Sequence, residues 1–229
     1  SLVSLAGKVD FWIIKTDYSG NILWQKDFGT NSYDFLNSID TSSDGGFILG
    51  GTSNGWASYD KSQNSCGDFD YWILKLDSMG VKQWDKDFGG ASKDNLLHVS
   101  VTNDEGFLLS GDSYSPISCD KSEPQLCYST FIPNVDCQTW LVKTDSMGNK
   151  LWDKTIFSLG IDKNGIAIET KNGGYAVANS SFSTIGGYKS QSCQGDDDYW
   201  LIKFNDSINC NLIPPVITYA GFTCSVPSI

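Results

Sequence analysis

Carboxylate side chains cluster at the ends of two loops, each directly before a Trp. Asp68 and Asp70 precede Trp72, and a run of three Asp precedes Trp200. Calcium is a hard cation that binds about six to eight oxygen ligands, which carboxylates and backbone carbonyls supply. No cofactor is expected apart from calcium, whose predicted ligands are Asp68, Asp70, Asp196, Asp197 and Asp198. The alternative is that these residues form solvated turns, since no D-x-D-x-D-G loop is present.

Side chains suited to acid–base catalysis are few. The one His, His98, lies within the apolar segment "LLHVSV", which reads as a strand. Glycoside hydrolysis needs two carboxyls that face one cleft, whereas the acids here recur at equivalent positions along the chain, which indicates a structural role. We therefore expect a non-enzymatic protein with no catalytic residues. An enzyme would need convergent acids that break this recurrence.

The chain has seven Cys, and five of them lie in long loops. Loop cysteines in an acidic chain rich in Ser, Asn and Gly indicate an oxidising compartment and local disulfides. We expect Cys119 to pair with Cys127 and Cys210 with Cys224. The odd count leaves one thiol free or bonded outside the chain. A zinc site is the rival interpretation, but no C-x-x-C pair is present.

The charge of the chain narrows its partners. The formal net charge is −11, and all 16 basic residues are Lys. Nucleic acids and anionic membrane surfaces need a basic face, so neither is an expected partner. No apolar run is long enough to span a bilayer, so we expect no membrane insertion. No signal peptide is visible at the first residue, although a removed signal is compatible with the sequence.

One segment recurs four times, anchored at Trp12, Trp72, Trp140 and Trp200 with spacings of 60, 68 and 60 residues. The units read "FWIIKTDYSGNILWQKDFG", "YWILKLDSMGVKQWDKDFG", "TWLVKTDSMGNKLWDKTIF" and "YWLIKFNDSIN". A long repeat of this kind determines the architecture and must be interpreted before any local motif.

Each unit contains four short β signals separated by turns. Asp at the first and Gly at the fourth position of a turn suit a tight hairpin, as in "DSMG". Four strands per unit are typical of a β-propeller blade. Seven of the eight Trp recur at fixed points, where we expect them to wedge between neighbouring blades. The recurring Lys residues should pair with a nearby Asp; they are Lys15, Lys75, Lys143 and Lys203.

The predicted fold is therefore all-β, with three to four blades of four antiparallel strands. The order from inside to outside should be "LLHVSVTND", "GFLLSG", "YWILKL" and "KQWDKDF". Residues 1–208 then hold two outer strands, two whole blades and most of another, and residues 209–229 form a linker or the start of a following module. Because a closed ring normally needs at least about four blades, we expect the chain to be part of a larger ring.

The units resemble β-propeller repeats of large secreted and surface proteins of Bacteroidetes bacteria. The resemblance is carried by "DYWILKLDSMGVKQWDKDFGG", "NDEGFLLSGDS" and loops with "DKS", and it covers about residues 8–206. It implies an exported, extracellular or cell-surface protein of the type IX secretion pathway. It implies no catalytic residues. In such proteins Asp-Ser followed by an apolar residue resembles an O-glycosylation signal, with candidate sites Ser78, Ser146 and Ser207; the alternative is ordinary turn chemistry.

A second resemblance concerns Asp-x-x-Gly-x-x-x-Trp, which occurs at Asp17, Asp77 and Asp145. It is similar to the tryptophan-docking motif of quinoprotein dehydrogenases, where it locks blades together. Their quinone chemistry is not expected here, because the chain has no adjacent Cys pair and no Arg.

The expected function is a propeller module for scaffolding, adhesion or ligand binding at a bacterial cell surface, with a glycan or a protein as partner. The alternative is a structural subunit whose open blades are completed by a partner chain. A repeated scaffold that presents variable loops is well suited to recognition.

Overall fold

The computed structural model describes residues 8–125, 137–183 and 185–205, and the backbone of residues 218–219 and 222–223. Within the three long ranges, thirteen β-strands form four antiparallel sheets. These described ranges contain no helix, and therefore no helix that could span a membrane. The strands are β1 (Phe11–Thr16), β2 (Ile22–Phe28), β3 (Asp34–Thr41), β4 (Phe47–Ser53), β5 (Asp70–Leu76), β6 (Lys82–Phe88), β7 (Asp94–Val101), β8 (Phe107–Ser113), β9 (Gln138–Thr144), β10 (Lys150–Ile156), β11 (Asp162–Glu169), β12 (Tyr175–Ser181) and β13 (Asp198–Phe204).

The four sheets follow the chain without crossovers, and we name them A to D. Sheet A contains β1 and β2, sheet B contains β3 to β6, sheet C contains β7 to β10, and sheet D contains β11 to β13. The predicted succession of two strands, two complete four-stranded units and three strands of a further unit is confirmed. The described sheets do not close on one another, so a closed ring stays a prediction.

The hairpin turns form as the Asp-x-x-Gly pattern predicts. Asp77 O accepts the N–H of Gly80 at 3.1 Å, and its Oδ1 accepts the N–H groups of Met79 and Val81 at 2.8 and 2.9 Å. Gly80 has a φ of +75°, which glycine adopts without steric cost. The side chain of Asp and the backbone freedom of Gly therefore close this turn together.

Two of the recurring Lys residues pair with Asp as expected. Lys75 Nζ lies 2.7 Å from Asp44 Oδ2, and Lys143 Nζ lies 2.8 Å from Asp104 Oδ1. Asp44 and Asp104 each accept a hydrogen bond from the paired lysine. These bonds help to lower the pKa of both carboxyls to about 2. Each pair links the β3–β4 or β7–β8 turn to the third strand of the same sheet, so these lysines are structural.

The sheets pack face to face through an aromatic pair that repeats. The ring of Phe11 in sheet A lies 4.8 Å from Trp72 in sheet B, and the ring of Tyr71 in sheet B lies 5.0 Å from Trp140 in sheet C. Trp72 and Trp140 are fully buried, and Trp200 is 5% exposed. The prediction that these Trp residues pack between neighbouring units is confirmed for these three.

The same pair is split at the two ends of the stack. Trp12 of sheet A is equivalent to Trp72 but is 57% exposed, because no described strand precedes it. Tyr199 of sheet D is equivalent to Tyr71 but is 98% exposed. Each end face therefore presents one half of the contact that joins sheet A to sheet B and sheet B to sheet C.

A second contact joins successive sheets near their outer strands. A Cβ placed on Gly80 of sheet B would lie 3.1 Å from the indole carbons of Trp24 in sheet A. A Cβ on Gly148 of sheet C would lie 2.8 Å from the indole of Trp84 in sheet B. The glycine of each turn thus docks on the Trp of the preceding sheet, a structural use of the Asp-x-x-Gly-x-x-x-Trp motif.

The chain after sheet D is described only as a hairpin in which Thr218–Tyr219 pairs with Phe222–Thr223. The predicted boundary at residue 208 and the linker after it lie outside the described residues.

Candidate functional site

The first strand of sheets B, C and D begins with a buried Asp that fixes the loop before it. Asp34 Oδ2 accepts the N–H of Thr30 at 2.6 Å, and Asp94 Oδ2 accepts the N–H of Gly90 at 2.7 Å. Asp162 makes the equivalent contact with its own preceding loop. Because the arrangement recurs in sheets B, C and D, these acids are structural residues.

A second buried acid meets this one at the junction of sheets B and C. Asp94 N donates to Phe69 O at 2.6 Å, which places Asp94 beside Asp70. Asp70 is fully buried, and its Oδ2 accepts the N–H groups of Cys66 and Gly67. Burial, together with the charge of Asp94, raises the pKa of Asp70 to about 6.

The equivalent junction of sheets C and D replaces one acid by an amide. Gln138 occupies the position of Asp70, and Asp162 occupies that of Asp94. Asp70 Oδ1 and Asp94 Oδ1 are buried without a hydrogen-bond partner among the described residues. Neither Gln138 nor Asp162 has a buried side-chain oxygen or nitrogen that lacks a partner. An amide supplies the N–H donor that a carboxylate lacks.

Two equivalent lysines lie beneath the loops between the second and third strands, in different surroundings. Lys61 Nζ lies 2.6 Å from Asp87 Oδ2, and both side chains are buried. Lys121 is also buried, but its Nζ donates to the neutral Thr155 Oγ1 at 3.0 Å and lies 5.2 Å from the ring centre of Trp140. Burial lowers the pKa of Lys121 to about 8. Neither amine is accessible to a substrate.

The predicted calcium ligands are not gathered into one site. Asp70 is buried and bonded to backbone N–H groups, whereas Asp68, Asp196 and Asp197 are exposed. Asp198 Oδ2 accepts the N–H of Gln194 at 2.5 Å, and this contact closes the loop before β13. In the described part of the chain, no three His, Cys, Asp or Glu side chains are arranged to hold a metal ion. Calcium binding stays a prediction without such a set.

The disulfide in the structure differs from the expected pair. Cys119 bonds to Cys66, with Cα atoms 6.5 Å apart and a sequence separation of 53. The expected local pair of Cys119 with Cys127 is therefore wrong. Because sheets B and C stack, the loop that contains Cys66 lies against the loop that contains Cys119. Cys127, Cys210 and Cys224 lie outside the described residues, while Cys137 and Cys193 are free thiols.

The remaining predicted positions fall on surface turns or in the packed interior. Ser78 and Ser146 are exposed in hairpin turns, as both turn chemistry and glycosylation require, and Ser207 lies outside the described residues. His98 is half-buried, with Nδ1 3.2 Å from Ala167 O of sheet D. It contacts the neighbouring inner strand and lines no described cleft.

A cleft of about 290 Å³ lies between sheets B and C, beside the beginnings of their first strands, β3 and β7. Its walls contain both apolar and polar side chains. The apolar wall contains Phe35, Phe69 and Leu97, and the polar wall contains Asn37, Thr52, Lys93, Asn95 and Asp112. Both sheets are complete in four strands, so the cleft does not depend on the open ends of the stack.

Aromatic rings form a continuous strip along the apolar wall. The rings of Phe35 and Phe69 are 6.1 Å apart, and the ring of Tyr33 stacks on Phe35 at 6.0 Å with an interplanar angle of 6°. Lys93 Nζ lies 5.4 Å from the centre of Phe69, within the range of a cation–π contact. Phe35 remains 42% exposed, so a large apolar ring faces solvent inside a polar rim.

Asp112 is the one carboxylate in the cleft wall. It is 9% exposed, and its Oδ1 accepts the N–H of Asn164 at 2.8 Å. Burial raises the pKa of Asp112 to about 6, and the backbone hydrogen bonds of Asn164 and Gly165 oppose that rise. One carboxylate beside Lys93 and two amides can bind a polar ligand but does not supply the pair that glycoside hydrolysis requires.

The cleft residues break the repeat, and the sequence interpretation missed them. Phe35 is replaced by Asn95 and Lys163 at the equivalent positions of β7 and β11, and Phe69 is replaced by Cys137 and Asp197 before β9 and β13. Positions that differ between units are free of the shared structural requirement. Comparing the four units residue by residue would have revealed this signal.

Comparison with known proteins gives no relative on which to base an assignment. No protein-family model matches the chain, and no curated protein matches it. The function must therefore be argued from the sheets and the cleft.

Proposed function

We propose that this chain is a non-enzymatic module of a β-propeller in an exported bacterial surface protein, where it scaffolds and binds ligands. The observation that carries the proposal is the aromatic pair that joins sheets A, B and C and is split at the two ends of the stack. Phe11 with Trp72 and Tyr71 with Trp140 are repeats of one contact, and exposed Tyr199 and Trp12 are its unpaired halves. Further sheets of the same type would bury both.

Covering these end faces would stabilise the protein. The outer face of sheet D exposes Tyr199, Leu201, Ile166 and Ile168, each at least 45% accessible. Burying large apolar side chains stabilises by about 1.5–3 kcal/mol each. An open stack would leave that stabilisation unused and would present apolar surface and strand edges to other chains.

The cleft between sheets B and C supports a ligand-binding role. The disulfide supports an exported location. The cleft combines exposed Phe35 with hydrogen-bonding groups and lies between two complete sheets. Disulfides such as Cys66 with Cys119 persist in oxidising compartments. The buried lysines and the single cleft carboxylate supply no acid–base pair for catalysis.

The second candidate function is a structural subunit whose end faces are covered by a partner chain. The same exposed Trp12 and Tyr199 favour it, because a contact in trans would bury them as well as a contact in cis.

The mass of the native polypeptide separates the two candidates. Denaturing mass spectrometry gives the chain mass, and light scattering gives the mass in solution. A native polypeptide well above 25.1 kDa that remains a monomer supports further sheets in the same chain. A 25.1 kDa chain that assembles supports the structural subunit, and a 25.1 kDa monomer contradicts both.

A further inference from the structure

We propose that the cleft between sheets B and C binds one uncharged pyranose ring of a glycan, with Phe35 as the stacking platform. The inference rests on the proposed ligand-binding function and names the ligand class and the residues that select it.

The apolar wall requires a ligand with an apolar face. Phe35 is 42% exposed although its neighbours Tyr33 and Phe69 pack against it, so the strip is ordered but uncovered. The face of an aromatic ring carries partial negative charge, and it attracts the polarised C–H groups on one face of a sugar ring. A pyranose presents such a face without any charge to desolvate.

The polar wall requires hydroxyl groups around that ring. Asn37 Nδ2 donates to Leu96 O at 2.6 Å, which orients the amide at the cleft wall. Asp112 accepts and Asn95 both donates and accepts, so the wall offers the mixture that neighbouring hydroxyls satisfy. A purely aromatic ligand would leave these groups without partners, at a cost.

The charge of the wall favours a neutral ligand. Lys93 and Asp112 carry opposite charges, so the cleft has no excess of either sign. Lys93 is already placed over Phe69, and the whole chain carries a net charge of −11. A phosphate-bearing ligand such as a nucleotide would meet long-range repulsion.

The size of the cleft also suits a small unit. Its volume of about 290 Å³ lies just below the range for small-ligand sites, about 300–1,000 Å³. One ring of a glycan chain would be held, while the rest of the chain would extend into solvent.

Sugar binding can be tested by saturation-transfer NMR and calorimetry on the whole chain. The probes are methyl β-D-glucopyranoside, methyl β-D-galactopyranoside, methyl α-D-mannopyranoside and N-acetylglucosamine, followed by a printed glycan array. We expect at least one pyranoside to bind, with saturation strongest on the C–H groups of one ring face. Phe35→Ala should weaken binding about tenfold, the value of one aromatic contact.

Matched variants guard against misfolding. Phe35→Trp should retain binding, and Phe35→Leu, which keeps much of the apolar volume, should weaken it as Phe35→Ala does. Tyr18→Ala removes a fully exposed aromatic ring from a distant turn and should change nothing. Circular dichroism and the melting temperature report whether each variant is folded.

The inference is overturned if no probe or array glycan binds, or if binding is the same in Phe35→Ala. Preferential binding of an aromatic peptide or of AMP, added as competitors, also overturns it. These outcomes leave the propeller proposal intact, since that proposal depends on the mass of the native polypeptide and not on any sugar.

Discussion

Gly80, at the turn between β5 and β6, lies directly against the indole ring of Trp24 in the preceding sheet. A Cβ at Gly80 would stand 3.1 Å from the ring, whereas a Cβ at the equivalent Gly20 would meet nothing within 4 Å. Both residues have positive φ, +75° and +84°. The two glycines therefore share a backbone requirement, and only Gly80 carries the contact between sheets.

This difference gives a matched pair of variants. Gly20→Ala should cost only the left-handed backbone penalty, about 1–2 kcal/mol. Gly80→Ala should cost about 1–3 kcal/mol more, because the methyl group must displace Trp24. Urea unfolding of both variants measures the difference. Equal losses at the two sites would show that the glycine does not dock on the indole.

The equivalent lysines Lys61 and Lys121 should respond in opposite directions to replacement by Met. Lys61→Met leaves buried Asp87 without its cation at 2.6 Å and should destabilise by about 3–5 kcal/mol. Lys121→Met removes a buried charge whose hydrogen bond goes to neutral Thr155, and should stabilise by about 1–3 kcal/mol at pH 7.

The pH dependence of the Lys121 effect provides its control. The pKa of Lys121 in the folded protein is about 8, below that of the unfolded chain, so the unfolded chain binds more protons between about pH 8 and pH 10.5. Wild-type stability should rise through that window, and the advantage of Lys121→Met should shrink. An advantage that is constant from pH 7 to pH 10.5 would assign the effect to packing alone.

Because Asp70 and Asp94 are buried side by side, we expect the protein to lose stability as the pH rises from about 4 toward 7. The folded pKa of Asp70 is raised to about 6 from 3.8, so the folded protein binds more protons between these values. Stability from this group is present below about pH 4 and is lost as the pH rises to about 6. Asp70→Asn should therefore stabilise the protein at pH 7, by about 1–3 kcal/mol, and much less at pH 4.

Chemical denaturation at pH 4, 5, 6 and 7 measures this effect. The equivalent Gln138 makes Asn a reasonable replacement, because an amide already occupies this position in sheet C. If Asp70→Asn instead lowers stability at pH 7, and EDTA lowers that of the wild type, a bound cation holds the two carboxylates together.

Reduction of the disulfide between Cys66 and Cys119 should lower the free energy of unfolding by about 3–4 kcal/mol, since it closes a long loop of the unfolded chain. Cys193→Ser is a suitable control, because Cys193 is a free thiol and occupies the position, before β13, that Ser65 occupies in the loop before β5. Melting curves with and without reductant measure both. A melting temperature that is unchanged by reductant would contradict the bond.

The repeated part of the fold could be predicted from the sequence because each unit states it again. The strands, the Asp-x-x-Gly turns and the pairs of Lys75 with Asp44 and of Lys143 with Asp104 follow from local patterns and their recurrence. A single unit would have left the assignment of short apolar strands ambiguous.

The contacts between sheets could not be predicted in the same way. Cys66 and Cys119 meet because the loops of sheets B and C stack, a relationship that sequence spacing does not contain. The cleft likewise gathers Phe35, Phe69 and Asp112 from three segments of two sheets. In the sequence, these residues share one feature: each differs in type from the residues at the equivalent positions of the other units. Such differences become informative only once the register of the sheets is known.

We propose that further sheets cover the two ends of this stack in the native protein. Hydroxyl-radical footprinting of the intact native polypeptide, read by mass spectrometry, measures the accessibility of Trp12 and Tyr199 against buried Trp72 and exposed Tyr18. The account predicts that Trp12 and Tyr199 are protected to nearly the level of Trp72. Oxidation of both at the rate of Tyr18 would show that the ends are open and would contradict it.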